Sequence, residues 1–327
     1  MTVIGNTKIQ DSLLKRWTLL LISSLLVAVT FGTSLAVQQD QKVFASPDEA
    51  VKTMIDALKT ENVAALSAIF GPGSENLISS GDPFADKAEH ERFINLYEQK
   101  NKLEEASPTK MVLYIGNDDW PFPIPLMKKD GAWLFNTNEG REEILVRRIG
   151  RNELSVIQVC LAYVDAQKEY AIKDRDGDGV LAYAQKFLSD PEKKNGLFWK
   201  AKEGDEQSPL GPLVGAAQEK GYSGKQSEGK PIPYHGYYYR ILKAQGKNAK
   251  GGDYDYVVKG KMIGGFALVA YPAQYGSSGI MTFIVSHAGE VYQKDLGENT
   301  ENTALKMKLF NPDSTWRKVE GRVVKGK

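Results

Sequence analysis

The pattern nearest to a ligand set in this chain is Asp174-x-Asp176-x-Asp178-Gly179. Alternating carboxylates converge on one side of a tight loop, and glycine permits the turn. Hard oxygen ligands at that spacing suit Ca²⁺. The twelfth position of such a loop is Gln185, not glutamate, and VLAYAQKFL resumes sooner than a full loop allows. Two readings stay open: a weak calcium site on Asp174, Asp176 and Asp178 in the extracellular range, or a solvated acidic helix–loop junction.

Other chemistry-bearing residues are scattered. The histidines are His90, His235 and His287, and His90-Glu91 continues as Arg92-Phe93-Ile94, so the HExxH zinc pattern fails. No GxSxG, GxxxxGK[ST] or helix-opening GxGxxG occurs. No residue is assigned a catalytic role. The lone Cys160 lies in VIQVCLAYV, the setting of a small apolar core residue. In the aromatic run Tyr234 to Tyr239, alternation puts Tyr237 and Tyr239 on one face of a strand and Tyr238 on the other. This is either a core strand or a carbohydrate or peptide platform. Trp120-Pro121-Phe122-Pro123-Ile124-Pro125 is forced into an extended backbone poor in ladder donors, as a structural edge or a docking surface.

The elements that must position these residues are legible in part. Ser46-Pro47-Asp48-Glu49 opens a helix with a serine cap, a first-turn proline and a glutamate three residues on. Asn62 caps a second helix, which Gly71-Pro72-Gly73 ends, and a third is predicted over 85–102. Strands are expected at 110–116, 122–128 and 132–136, the last two as a hairpin on Asp130-Gly131. A boundary is placed near Gly150, with Asn152 capping a helix over 153–172. After an irregular stretch at 200–233, strands resume at 236–242, 266–271, 280–285 and 290–294, and Trp316 is a candidate anchor for the tail. No internal repeat is found. The pattern predicts an α+β chain of two domains, 46–148 and 149–327, each with helices packed on a small antiparallel sheet.

Charge and hydropathy set the compartment. Lys15 and Arg16 precede an apolar run, Trp17 to Phe31, followed by small residues. These are the parts of a signal peptide over 1–45, with Ala36 and Ala45 as cleavage sites; an uncleaved anchor is the alternative. The protein is expected in the periplasm or secreted, touching a membrane only through that segment if it stays uncleaved. Removing 1–45 takes the 42 basic residues to 38 and the 41 acidic ones to 39. A near-neutral chain makes nucleic acid an unexpected partner.

Phrases along the chain are similar to one bacterial family, the domain of unknown function 2950. They include FASPDEAV at 44–51, WPFPIPLMKKDGAWLFNTNEGREEIL at 120–145 and EYAIKDRDGDGVLAYAQKFLSDPEKKNGLFW at 169–199. PYHGYYYRIL at 233–242 and GGFALVAYPAQYGSSGIMTFIVSHAGEVYQKDLG at 264–297 belong with them. The resemblance implies an exported bacterial protein and no known activity. Residues 152–297 also resemble the globular part of type IV pilin-like and pseudopilin proteins, a long helix on an antiparallel sheet. Here a whole domain precedes the helix, unlike those proteins. The N-terminal half looks more loosely like the cone of nuclear-transport-factor and steroid-isomerase relatives, which often forms a pocket.

These readings converge on an exported, non-enzymatic binding or assembly module, a partner of another exported protein. An envelope-acting hydrolase with a pocket in either domain and a calcium-stabilised structural domain are the alternatives.

Overall fold

The computed structural model describes residues 40–202, 204–219 and 232–320. These belong to one compact unit, Gln39–Lys327. Residues 1–39, most of the segment expected to be a signal peptide, lie outside the described residues.

The first layer is built as its caps dictate. Helix α1 (Pro47–Lys59) starts where the Ser46 side chain accepts from the Glu49 N–H, while the Glu49 carboxylate accepts from the Ala45 N–H at 3.0 Å. Helix α2 (Val63–Phe70) starts where Asn62 Oδ1 accepts from the Ala65 N–H. A short α3 (Glu75–Ile78) leads to α4 (Pro83–Gln99), capped by Asp82. Strand β1 (Asn101–Ser107) then pairs with β2 (Lys110–Ile115), and β3 (Trp120–Pro121) also pairs with β2. Strands β4 (Leu126–Lys129) and β5 (Ala132–Phe135) form the hairpin, with Asp130 and Gly131 both at positive φ, as its tight turn requires. The antiparallel sheet runs β1-β2-β4-β5.

Two expectations need correction here. The third helix ends at Gln99 rather than 102, and 101–107 is a strand. NKLEEAS carries no apolar alternation because it is a mostly exposed edge strand, whose pairing comes from the backbone of β2.

Helix α5 (Thr137–Tyr170) runs unbroken for 34 residues. The expected boundary at 148–149 lies inside it, and Asn152 caps no helix. A single glycine at 150 costs a helix only about 1 kcal/mol. The side chains around it are tied down: Asn152 donates to the Ser278 carbonyl, and the Glu153 carboxylate accepts from the N–H groups of Ile280 and Met281. Helix α6 (Gly211–Glu219) follows, inside the stretch expected to be irregular.

Next come β6 (Tyr237–Leu242) and the two-residue strands β7 (Ala244–Gln245), β8 (Tyr254–Asp255), β9 (Val257–Val258) and β10 (Lys261–Met262). The longer β11 (Ala267–Pro272), β12 (Met281–Ser286) and β13 (Val291–Asp295) lie where the β-rich runs place them. Helix α7 (Thr300–Lys306), β14 (Leu309–Phe310) and β15 (Arg317–Lys318) complete the chain. The second antiparallel sheet runs β15-β13-β12-β11-β6. All six residues of β11 are buried, since it lies between β6 and β12 and both α5 and α7 pack against it.

The fold is thus α+β, with helices laid on two antiparallel sheets. Buried apolar residues form two clusters, one spanning 44–135 and one spanning 156–310. Polar contacts tie the two parts together. Asp82 Oδ1 caps α4 at Ala85, while its Oδ2 accepts from the Gly236 N–H at 3.0 Å. Arg148 donates to the carbonyls of Asn76 (2.6 Å) and Leu77 (2.5 Å), and Ser277 Oγ donates to the same Asn76 carbonyl.

Candidate ligand-binding site

The site begins with an anomaly in α4. Helix α1 buries six of its 13 residues, whereas α4, with 17, buries none. Phe93, Ile94, Leu96 and Tyr97 face the first core yet stay half-buried. The reason is a hollow beneath them, a cavity of about 510 Å³. That volume falls within the ~300–1,000 Å³ usual for small-molecule sites.

Four sets of elements shape the hollow. Met54 and Leu58 of α1, with Leu66 and Phe70 of α2, line it from the helical layer. Ile115 of β2 and the Phe122–Ile124 segment line it from the sheet side. Helix α4 contributes Phe93 and Leu96, and α5 contributes Ile144. The helix α4 is pinned at both ends, by Asp82 at its start and by the Gly116 N–H, which donates to the carbonyls of Leu96 and Lys100. Its middle spans the cavity, with Phe93 edge-on to Phe122 at 5.2 Å between centroids.

The Trp-Pro-Phe-Pro-Ile-Pro segment is therefore wall rather than outer docking surface. Phe122 and Ile124 are buried in it. Helix α5 comes so close that a Cβ on Gly140 would sit 2.2 Å from the Pro123 carbonyl oxygen.

The mouth is charged. Arg92, Arg147, Arg148 and Arg151 stand there with Asp86, Glu89, Asp118 and His90. Arg151 pairs with Glu89 at 3.0 Å. Arg147 pairs with Glu143 and stacks on Trp120 at 5.3 Å. Asp86 is committed to Ser79 and Ser80, accepting from both hydroxyls and from the Ser80 N–H. Arg148 is half-buried, and burial pulls its pKa down. Burial likewise lowers the His90 pKa, against the nearby Asp86 charge.

The other residues singled out in sequence fall elsewhere, His90 and the segment 120–125 excepted. Asp174 turns inward, accepting from the N–H groups of Asp176, Gly177 and Gly179 at 2.7–3.1 Å, and those bonds hold its pKa below the ordinary value. Asp176 and Asp178 instead hold the Lys261 ammonium. One protein cation thus bridges two of the three carboxylates expected to converge on calcium. Among the described residues no group of three or more His, Cys, Asp or Glu is arranged to hold a metal. His287 packs against Tyr256 and Phe266, and burial lowers its pKa. His235 sits at φ +52°, next to Gly236. Cys160 is fully buried, its thiol pushed up to about 12. Tyr237 is core, with its hydroxyl donating to the Met281 carbonyl.

The cavity's lining was not legible because it comes from separate elements. One signal was available. Arg147, Arg148 and Arg151 recur at helical spacing, which places the first and last on one face of α5.

A family model described as "Protein of unknown function (DUF2950)" matches residues 41–319, and the chain belongs to that family. No curated protein and no solved structure matches the chain. The likeness of residues 152–297 to pilin-type domains therefore has no solved structure behind it.

Proposed function

We propose that this protein is an exported, non-enzymatic binding module whose ligand occupies the cavity beneath α4. The observation that carries this reading is the 17-residue helix held at both ends over an apolar hollow, with none of its own residues buried. A helix that merely completed a core would bury its apolar face, at about 25 cal/mol per Å² gained. A cavity open enough for a ligand forgoes that stabilisation. Among the described residues the walls hold no serine, threonine, cysteine, tyrosine or lysine, which favours binding over a hydrolase with a hydroxyl or amine nucleophile. Export rests on the apolar run at 17–31 and its basic flank. Assembly with another exported protein is the finer alternative, supported by α5 lying along the β11–β13 face as in a pilin-like layer.

A neutral fluorescent probe, N-phenyl-1-naphthylamine, tests the reading. Its emission should rise and saturate at one site per chain. Ile144→Trp, which places a bulky ring at a half-buried wall position, should abolish that rise while leaving the melting transition cooperative. No saturable signal with the natural chain would sink the reading.

A further inference from the structure

The mouth of the cavity has a chemistry distinct from its walls. Four guanidiniums stand there against three carboxylates among the lining residues. Two of those carboxylates are spent, Glu89 on Arg151 and Asp86 on Ser79 and Ser80. Arg148 differs from the arginines flanking it on α5. Its guanidinium donates to the neutral carbonyls of Asn76 and Leu77 and approaches Ser277 Oγ at 3.5 Å. Among the described residues no carboxylate lies within ion-pair distance of it. A guanidinium carries five N–H donors, so some remain for a ligand. The hydrogen-bond partners of Arg148 are neutral, and the Asp86 and Glu89 charges act on it only from beyond ion-pair distance; a desolvated site strengthens the attraction of such a cation for an anion.

We infer that the ligand is an amphiphile with an apolar tail and an anionic head, the head held by Arg148 with Arg147 and Arg151 beside it. The tail lies among Met54, Leu58, Phe70 and Phe122. This rests on the cavity being the binding site. The head stays at the mouth because only there can an acyl carboxylate meet N–H donors; the inner walls named above are hydrocarbon and aromatic.

Competition with three probes of equal tail separates the two claims. Dodecanoate, dodecanol and dodecylamine are titrated against bound N-phenyl-1-naphthylamine on the full chain. Dodecanoate should displace the probe at a concentration at least about tenfold lower than dodecanol, which about 1.4 kcal/mol of head-group attraction supplies. Dodecylamine should be the weakest. Arg148→Gln should shrink the preference for dodecanoate over dodecanol to within about twofold, since about that much attraction is lost with one charge-assisted contact. Should that variant fail to fold, Arg151→Gln is the second arm. It removes one cation and frees the Glu89 charge, so it should weaken dodecanoate selectively. Equal displacement by dodecanoate and dodecanol would overturn the anionic head and leave the apolar site standing. Displacement by none of the three would overturn both.

Discussion

Glu206 gathers three cations: Lys173 at 2.7 Å, Lys194 at 3.0 Å and Arg175 at 3.2 Å. Arg175 is 7% exposed and lies between the rings of Tyr170 and Trp199, at 4.7 and 4.8 Å. The lysine hydrogen bonds lead in lowering the Glu206 carboxyl to about 2 from an ordinary 4.5. A depressed carboxylate stabilises the fold fully above its unfolded pKa and progressively less as pH falls through the folded one. Stability should therefore decline between about pH 4.5 and 2, the two pKa values given for this group. Glu206→Gln should flatten that part of the curve in denaturant titrations, and an unchanged slope would exclude the cluster as its source. The Asp174 loop makes an opposite test. With Lys261 already on Asp176 and Asp178, melts in Ca²⁺ and in chelator should coincide. A rise of several degrees with Ca²⁺ would return the loop to a bound cation. At this scale the sequence was a fair guide to residue type and a poor one to partnership. Three carboxylates at alternate positions are visible in the chain, but a lysine 83 residues beyond Asp178 is not.

Helix caps and the hairpin turn were legible because their chemistry is local. Ser46, Asn62 and Asp130-Gly131 each act within four residues. The continuity of α5 was not, since Gly150 and Asn152 look like a stop until their neighbours across the fold are known. Strand β1 was missed for the same reason, and so were α7, β14 and β15. Gly140 offers a test at this scale. With the Pro123 carbonyl 2.2 Å from a built Cβ, Gly140→Ala must push α5 from the cavity wall. Helix propensity alone would favour alanine by about 1 kcal/mol, whereas overpacking costs about 1–3 kcal/mol. A net loss in melting temperature is expected, together with weaker probe binding. A gain in stability would show that the wall yields without cost.

The two buried clusters share one long helix and a set of polar ties, so the molecule should behave as one cooperative system. Asp82 and Arg148 are the ties most exposed to test: Asp82 accepts from the Gly236 N–H, and Arg148 on the shared helix donates to the Asn76 and Leu77 carbonyls and approaches Ser277 Oγ. Asp82→Ala removes a helix cap and the acceptor for the Gly236 N–H. It should cost about 2.5–4 kcal/mol, a cap being worth about 1 and a hydrogen bond to a charged group about 1.5–3. Calorimetry of the natural chain should show one transition. The Asp82→Ala, Arg148→Met double variant should broaden or split it, and two transitions already present in the natural chain would deny the coupling. The α+β class and four C-terminal strands followed from periodicity. The ties did not, since they join residues up to 201 positions apart, as Ser277 and Asn76 are.

The stretch before α1 is laced into the first sheet. Gln41 donates from its side chain to the carbonyls of Ile69 and Phe135, and the Lys42 N–H donates to Ala68. Phe44 is 2% exposed and exchanges both backbone hydrogen bonds with Trp133. A processing peptidase reads its substrate as an added strand, through the same N–H and C=O groups. Those of Phe44 are already spent within the fold. Cutting after Ala45 would also discard the Phe44 ring, a loss on the scale of the about 3–5 kcal/mol of a large-to-small core change. Release after Ala36 keeps the whole lacing, so under the export proposed above the mature chain should start at Val37, which N-terminal sequencing reads directly. A start at Ser46 would mean that the fold stands without its first bridge.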